Sequence, residues 1–376
     1  MGVLSGVRIV EIAGIGPAPF CGMLLADMGA EVILVERSGV KPGDPLDLGQ
    51  NAIVHRGKRS LALDLKDPAA VDAVLQLIDG ADALIEGMRP GVMERLGLGP
   101  ELCMARNARL VYGRMTGWGQ DGPLAQAAGH DLNYIALSGA LWFAGQPDAP
   151  PLAPPTLVGD VGGGALYLAM GVLAALLGVQ RGGAGQVIDA AIVDGSANMM
   201  NLLLSLHAAG RQPFERAQGL LDGPHWYGSY YCADGHLLTI GALEPQFYAL
   251  LLDRLGLAGD KDFHRPYDPR CWPELRKRLA ALFASAPRAH WNALLEGSDA
   301  CYAPVLDPRA AMTHPHIQAR GIYSERAGVL QAAPAPRFGG TPATPGPVPE
   351  RGQHGAAILA QLGLSADAIA ALTKQS

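Results

Sequence analysis

The chain has 376 residues, which exceeds the size at which one hydrophobic core usually keeps growing, so we expect two domains. Hydrophobic residues make up 49% of the chain and charged residues 17%, a composition that excludes a disordered protein. The formal net charge of −6 argues against nucleic acid or an anionic membrane as the main partner, because both attract a broad positive surface. An anionic ligand would have to be bound by local positive charges.

The first half of the chain alternates predicted strands with predicted helices. β-rich runs at 7–13 and 31–36 flank a segment whose apolar spacing after Pro17 predicts a helix, which together form a βαβ unit. Further strands are predicted at 82–87, 109–114 and 186–192. This alternation predicts an α/β fold with a doubly wound, Rossmann-like parallel sheet.

Glycines directly after the first strand partly match the motif of a dinucleotide site. Gly14 and Gly16 begin a G-x-G-x-x-G pattern, but Pro19 stands where the third glycine belongs. The pattern is equally typical of a tight turn from a strand into a helix, whose first N–H groups can still face a phosphate.

One apolar segment, 162–179, is long enough to be considered as a membrane span. It reaches only the short end of spanning lengths and is rich in glycine and alanine, which favours a buried helix of a soluble protein. The five cysteines are widely spaced with no C-x-x-C pair, so neither disulfides nor a metal site is predicted. Because no targeting signal is visible either, we expect a cytoplasmic location.

The sequence pattern changes near residue 235, after which one strand and several amphipathic helices are predicted. A Pro/Gly-rich connector at 333–350 precedes a last helical pattern at 354–372. We therefore predict four segments: a large α/β domain at 1–200, a linker at 201–224, a small α+β domain at 225–325, and a return to the large domain at 326–376.

Basic residues occur at positions where a parallel sheet binds ligands. Arg37 ends the second strand and Arg89 follows a later one, and ligands of doubly wound sheets bind at the carboxyl ends of strands. The stretch HRGKRSLALDLK adds more positive charge: His55, Arg56, Lys58, Arg59 and Lys66. A polyphosphate site and a solvated basic loop are both compatible with this pattern.

Two carboxylates and one imidazole stand out as candidates for chemistry. Asp160 lies among small and apolar residues at the start of the apolar helix, where burial should raise its pKa toward values useful in proton transfer. His130 and Asp131 are adjacent just before another apolar run. Each of these positions is also typical of a helix N-cap, and capping does not exclude catalysis.

Eight stretches spread over the chain carry a resemblance: GPAPFCGMLLADMGAEV, RGKRSLALDLK, RPGVMERLGLGP, MTGWGQDGP, AGHDLNYIALSG, GQVIDAAIVDG, ADGHLLTIGALEPQFY and DACYAPVL. Together they resemble the α-methylacyl-CoA racemases of the family III CoA-transferase superfamily. The resemblance implies that His130 and Asp160 are the catalytic acid/base residues and that Glu244 orients His130. It also implies interlocked homodimers whose active sites are shared between subunits.

The resemblance further implies contacts with an acyl-CoA substrate, to which we add Arg89: Arg37, Leu63, Asp64, Leu65, Lys66, Gly129, Asp131, Leu132, Asn133 and Tyr134. CoA would enter as part of the substrate, with no separate cofactor. Inverting the carbon next to a thioester requires one group that removes its proton and another that returns a proton from the opposite face. We therefore expect a racemase of 2-methylacyl-CoA thioesters that works by 1,1-proton transfer through an enolate.

Three other functions are weighed against this one. In a CoA-transferase, Asp131 would be the nucleophile that forms an acyl anhydride, but transferases of this family generally lack the pair of His130 and Glu244. A CoA-binding module without turnover would have no use for His130 with Asp160, and the broken glycine pattern disfavours an oxidoreductase. His225 and Trp226 replace small residues of the racemases, which puts the acyl specificity in doubt.

Overall fold

The computed structural model describes residues 2–39 and 48–373. The chain divides into two compact units, each formed by separate segments. The larger unit comprises Met1–Leu141, Ala153–Met199 and Tyr323–Ser376, and the smaller unit comprises Trp142–Leu152 and Met200–Ile322. The return of the chain to the larger unit lies three residues before the predicted position of 326.

The larger unit is built on a sheet of six parallel strands: β1 (Arg8–Ile12), β2 (Glu31–Arg37), β3 (Arg59–Leu63), β4 (Ala83–Glu86), β5 (Val111–Thr116) and β6 (Val187–Ala191). The strand order is β3-β2-β1-β4-β5-β6, so the direction of winding reverses between β1 and β4. This is the doubly wound order, and it confirms the predicted fold class. Strand β3 was not predicted, because its five residues lie within the basic stretch HRGKRSLALDLK.

Helices cover both faces of this sheet: α1 (Pro17–Asp27), α2 (Pro68–Asp79), α3 (Val92–Arg95), α4 (Pro100–Arg106), α5 (Asp131–Leu137), α6 (Leu166–Gln180) and α7 (Ile192–Met199). Successive side chains of β1 lie on opposite faces of the sheet, and each face has its own apolar core. Val10 and Ile12 belong to one core, and Ile9 belongs to the other. The returning segment adds a hairpin of β10 (Tyr323–Arg326) and β11 (Val329–Ala332) and two helices, α14 (Gly355–Gln361) and α15 (Ala366–Thr373). Ile358 of α14 is buried in the core that contains Val10.

The long apolar helix begins five residues earlier than predicted. Its first part, Leu157–Ala165, is wound as a π-helix and continues directly into α6. One side of α6 is buried in the core of the larger unit, whereas Leu166, Met170 and Leu177 are 47–59% exposed. By length and hydropathy alone, Leu157–Gln180 is a helix that could cross a membrane, a test that core helices of soluble proteins also pass.

The smaller unit contains a three-stranded antiparallel sheet, formed by β7 (Tyr227–Tyr231), β8 (Leu237–Gly241) and β9 (Tyr302–Pro304). Six α-helices belong to this unit: α8 (Asn201–Ala208), α9 (Pro245–Arg254), α10 (Trp272–Phe283), α11 (Arg288–Leu295), α12 (Pro308–Thr313) and α13 (Pro315–Ala319). Its apolar core is rich in aromatic side chains. The unit has the predicted α+β character.

The limits of the smaller unit differ from the predicted 225–325 at its start. Residues 142–152 are grouped with it because Arg216 donates hydrogen bonds to the carbonyls of Ala144, Gln146 and Ala149. The Trp142 indole N–H donates to the Phe214 carbonyl in the same way. Helix α8 also belongs here, so residues 201–224 are part of a compact unit rather than a separate linker.

The departure at His225 and Trp226 is a feature of the core. Both side chains are fully buried in the smaller unit, where Trp226 Nε1 donates to the Pro266 carbonyl at 2.9 Å. His225 Nε2 lies 2.8 Å from the Tyr248 hydroxyl, and burial lowers the pKa of the imidazole to about 3. These residues therefore fill the core of the smaller unit.

Candidate active site

A cavity of about 480 Å³ lies in the larger unit at the carboxyl ends of four strands. Its walls come from the segments that follow β1, β4, β5 and β6, together with the approach to α5 and the start of the π-helical segment. The reversal of winding between β1 and β4 leaves such a crevice in doubly wound sheets, and it is where they bind their ligands. The cavity brings together five predicted site residues from three separate stretches of the sequence: Arg89, Gly129, His130, Tyr134 and Asp160.

His130 is held at the entrance to α5 by its own backbone. It is the N-cap residue, with an extended backbone whose N–H donates to Asn133 Oδ1 at 3.1 Å. The preceding peptide is fixed from the other side, because the Tyr134 hydroxyl donates to the Gly129 carbonyl. The capping interpretation and the catalytic interpretation of this stretch are therefore compatible, since the backbone begins the helix while the imidazole lines the cavity.

Tyr134 itself is anchored by packing. Its ring meets Trp118 edge to face with 4.7 Å between ring centroids, and its side chain is only 8% exposed. Trp118 also lines the cavity, although the sequence analysis did not select it. It lies in the quoted stretch MTGWGQDGP, directly after β5, where the rule of strand ends would have found it.

Asp160 is a half-buried carboxyl group that lines the cavity. Burial raises its pKa from 3.8 to about 6, the negative charge of Asp131 adds to the rise, and His130 opposes it. No hydrogen bond to its carboxyl oxygens is found within residues 2–39 and 48–373. A carboxyl group in this state can give up or take back a proton near neutral pH.

Asp131 has a different environment, although it is adjacent to His130. Its side chain is 9% exposed, and Oδ1 accepts the backbone N–H groups of Gly159 and Asp160, each at 2.8 Å. Asp131 is not among the residues that line the cavity. The structure thus directs this carboxylate toward the protein backbone.

Arg89 lies in the loop after β4, and a network of charged side chains fixes the start of this loop. Glu86, at the end of β4, accepts the Met88 backbone N–H at 2.6 Å and also pairs with Arg114 at 2.9 Å. Arg114 pairs in turn with Glu94 at 2.8 Å. Sequence reasoning missed this network, since its members are 8 to 28 positions apart and no local pattern joins them.

The remaining predicted CoA contacts of the first half lie at the same edge of the sheet. Arg37 and Leu63 are register partners at the ends of β2 and β3, and the Arg37 side chain is exposed. Leu63 is only 1% exposed, so its side chain cannot contact CoA. A contact between CoA and Leu63 would have to use the Leu63 backbone. Asp64 accepts the Lys66 backbone N–H at 3.0 Å, and Lys66 is exposed shortly after the end of β3.

Three basic residues of the stretch HRGKRSLALDLK are engaged in ion pairs, which contradicts a polyphosphate site formed by the whole stretch. Arg56 pairs with Asp27 while both side chains are nearly buried. Lys58 pairs with Glu11 at 2.6 Å, and both side chains are completely buried. Arg59 pairs with Glu31. Their carboxylate partners lie 28 to 47 positions earlier, so the sequence pattern alone did not reveal them.

The other predicted residues take separate positions. Leu132 and Asn133 are exposed in the first turn of α5, and Leu65 packs against the core beside β3. Glu244 is exposed and precedes α9 in the smaller unit. The roles of these residues stay predictions.

Comparison with known proteins places the chain in a family. The model of CoA-transferase family III matches residues 4–355. The chain belongs to this family. It is 42% identical to an α-methylacyl-CoA racemase of Mus musculus over 371 residues, which cover 98% of this chain and 95% of that protein. It is 41% identical to an α-methylacyl-CoA racemase of Homo sapiens over 371 residues, which cover 97% of this chain and 95% of that protein.

Solved structures of the family agree with the fold. A CAIB/BAIF family protein from Brucella suis superposes with a TM-score of 0.81 at 27% identity, over 96% of this chain and 99% of that one. The family resemblance inferred from the eight sequence stretches is thereby confirmed. The similarity extends over both compact units rather than over the sheet alone.

Proposed function

We propose that this member of family III is a racemase that inverts the carbon next to the thioester of 2-methylacyl-CoA substrates. The observation that carries the proposal is the pairing of an imidazole with a carboxyl group of raised pKa in one cavity. The 42% identity to the mouse racemase over nearly the whole chain supports it.

In the proposed mechanism, His130 and Asp160 act on opposite faces of the α-carbon. For one epimer, neutral His130 removes the α-proton and the electron pair moves into the thioester to form an enolate. Protonated Asp160 then donates its proton to the other face, which leaves His130 protonated and Asp160 ionised. The other epimer uses this second state and reverses the roles, so a complete cycle consumes no proton.

The raised pKa of Asp160 fits this cycle. An ordinary aspartate would be almost entirely ionised at neutral pH and would rarely supply a proton. A pKa of about 6 leaves a usable protonated fraction. Burial in the cavity wall is its largest cause, and closing an acyl chain over the site would strengthen the effect by removing water.

The transferase alternative needs Asp131 as an exposed nucleophile. Its carboxylate is instead buried and accepts two backbone N–H groups, which lowers its availability for attack on an acyl group. This geometry favours the racemase over the transferase.

We propose that the CoA portion lies along the carboxyl edge of the sheet, from the cavity toward β2 and β3. Arg89 would contact the part nearest the cavity, and Arg37 and Lys66 would contact the nucleotide end through its phosphates. Neighbouring strands are about 4.8 Å apart, so the edge from β1 to β3 extends for roughly 10 Å. A guanidinium pairs well with phosphate and also stacks on a purine.

The reaction is tested with a single chiral 2-methylacyl-CoA epimer in D₂O, with mass and chirality followed together. We expect deuterium to enter at the α-carbon while the epimers equilibrate. Transfer of CoA to an added free acid would identify a transferase, and neither change would identify a binding module. Both of these outcomes contradict the proposal.

We further propose that the enzyme works as a homodimer in which Glu244 of one subunit orients His130 of the other. A carboxylate beside His130 would fix the tautomer of the imidazole, as a paired acid does for other catalytic histidines. The exposed apolar side chains of α6, Leu166, Met170 and Leu177, support association with a second copy, because monomers rarely expose a continuous apolar stripe.

Complementation tests the shared site. Inactive His130→Ala and Glu244→Gln chains are unfolded together and refolded to allow mixed dimers. In each mixed dimer one site collects both defects and the other none, so activity should return to about a quarter of wild type if chains pair at random. No recovery despite demonstrated mixed dimers refutes the shared site.

A further inference from the structure

Asp131 connects the two elements that carry the proposed proton carriers. It is the first residue of α5, directly after His130, and its Oδ1 accepts the N–H groups of Gly159 and Asp160 at 2.8 Å each. His130 and Asp160 are 30 positions apart in sequence. One buried carboxylate therefore joins the segment that presents the imidazole to the segment that presents the acid.

The two N–H groups belong to the first turn of the π-helical segment Leu157–Ala165. N–H groups in the first turn of a helix have no carbonyl partner within it and must find one elsewhere. Hydrogen bonds to an ionised carboxylate are shorter and stronger than those to a neutral acceptor. Asp131 thus fixes the backbone of Asp160 without occupying the Asp160 carboxyl group.

Gly159 makes this contact possible. A Cβ atom at this position would collide with Asp131 Oδ1 and would lie 3.0 Å from Ile135 Cγ2. A side chain at residue 159 could therefore be accommodated only if the carboxylate or α5 moved. Gly159 and Asp131 therefore depend on each other for this contact, although they are 28 positions apart in sequence.

The charge of Asp131 acts on Asp160 as well. Burial is the largest cause of the raised pKa of Asp160, and the negative charge of Asp131 is the second largest. Among the described residues, no basic side chain forms a salt bridge with Asp131 that would neutralise this charge. Two charged neighbours thus act on the pKa of Asp160: Asp131 favours the protonated acid, and His130 favours the ionised acid.

We propose that Asp131 is a positioning residue, which holds the backbone of Asp160 opposite His130 and keeps Asp160 in its proton-donating form by its charge. The proposal rests on the proposed racemase function. It assigns Asp131 a role other than contact with CoA and other than nucleophilic attack.

Two substitutions separate the contact from the charge. Asp131→Asn keeps an oxygen that can accept both N–H groups but removes the charge. Asp131→Ala removes both the acceptor and the charge. Asp72→Asn, on the exposed side of α2, is the matched control for loss of one negative charge.

The first readout needs no substrate. Carboxyl carbons are followed by NMR between pH 3 and 9, and the Asp160 signal is assigned by its loss in Asp160→Asn. We expect the midpoint of Asp160 to move lower by roughly half a pH unit or more in Asp131→Asn, because a nearby like charge has been removed. It should not move in Asp72→Asn. An unchanged midpoint in Asp131→Asn overturns the proposed action of the charge.

The second readout is the pH profile of kcat/KM for racemisation. In Asp131→Asn the apparent pKa of the acid limb should fall with little change in KM, since that limb belongs to the coupled pair. In Asp131→Ala, kcat should fall a further tenfold or more, about the effect of a misplaced catalytic group. Complete loss of turnover in both variants with no shift in the titration of Asp160 would assign a chemical role to Asp131 and overturn the proposal.

These measurements also separate the two proposals. If wild-type protein neither exchanges nor inverts 2-methylacyl-CoA, the racemase function fails, whereas the NMR titration still tests the effect of Asp131 on Asp160. If Asp131→Ala does not fold, Asp131→Asn supplies both readouts. Gly159→Ala retains the charge of Asp131 but disrupts the contact between its carboxylate and residue 159. We therefore expect Gly159→Ala to lower kcat as Asp131→Ala does. A folded Gly159→Ala protein with wild-type kcat would contradict the positioning role.

Discussion

The cavity and the buried core of the same unit each contain a carboxyl group whose pKa is raised by burial, but they use it differently. In the core, Glu11 of β1 is completely buried against Lys58 at 2.6 Å, and Lys58 also donates to the Pro19 carbonyl at 3.0 Å. In the cavity, Asp160 is half-buried and faces open space beside His130. The two sites differ in access and in partners rather than in the direction of the pKa shift.

This difference shows which property marks a site for chemistry. Ion pairs in a protein core shift pKa values as strongly as active sites do, so a shifted value alone does not identify function. Glu11 is out of reach of any ligand, and even a Cβ atom at Gly22 would collide with its carboxylate. Asp160 combines its raised pKa with a cavity wide enough for a thioester.

The largest effect is expected from Asp160→Asn on activity. Racemisation should fall by about 10³-fold, because an amide can neither donate nor accept the proton on that face. The control Asp72→Asn should retain full activity. The measurement is the loss of optical rotation with purified protein at pH 7, and more than a tenth of wild-type activity in folded Asp160→Asn would contradict the assignment.

Glu11→Ala should instead act on stability. Removing one partner leaves the Lys58 ammonium buried and unpaired, which typically costs about 3–5 kcal/mol of the free energy of unfolding. Asp79→Ala breaks an exposed pair with Arg106 and should cost about 1 kcal/mol or less. Urea unfolding of both variants measures the contrast. Equal losses would show that the core pair has no special structural role.

Arg89→Ala should weaken binding of CoA esters by roughly tenfold, equivalent to about 1.4 kcal/mol for one charged contact. Arg109 is the matched control, because it is exposed at the opposite edge of the sheet, before the amino end of β5. Calorimetric titration with free CoA gives the affinities. If Arg109→Ala weakens binding as much as Arg89→Ala does, the effect is one of overall charge rather than of the site.

The smallest effect is a gain in stability in Asp160→Asn. Because the pKa of Asp160 is higher in the folded protein (about 6) than its ordinary value of 3.8, the folded state binds more protons between these values. Its contribution to stability therefore falls as pH rises from 3.8 to 6. Asp160→Asn should be more stable than wild type by up to about 1 kcal/mol above pH 6 and equal to it below pH 4. Equal melting temperatures of the two proteins at pH 8 would contradict this origin of the shift.

Much of the secondary structure of the larger unit could be predicted from sequence, because strands and helices are marked by local patterns of apolar residues. Strands β1, β2, β4, β5 and β6 and the helix after Pro17 lie where apolar periodicity predicted them. The family motifs added His130 and Asp160, which the structure brings to one cavity. The rule that parallel sheets bind ligands at strand ends connected these two kinds of inference.

The parts that sequence did not reveal depend on contacts between distant positions. The basic stretch that contains β3 suggested an anion site, but the carboxylates that neutralise Arg56 and Lys58 come from other elements. The contact of Asp131 with the backbone of Gly159 and Asp160 is likewise invisible in a motif where Asp131 follows a histidine. Residues 142–152 belong to the smaller unit because Arg216 binds their carbonyls, which no local pattern indicates.

If His130 and Asp160 serve opposite faces of one carbon, single variants of these residues in D₂O should exchange different epimers. Each pure epimer is incubated separately with His130→Ala and with Asp160→Asn, and α-deuteration is measured together with chirality. We expect complementary behaviour: Asp160→Asn exchanges only the epimer whose proton faces His130, His130→Ala exchanges only the other epimer, and neither variant inverts its substrate. Exchange of the same epimer by both variants, or inversion by either one, would contradict it.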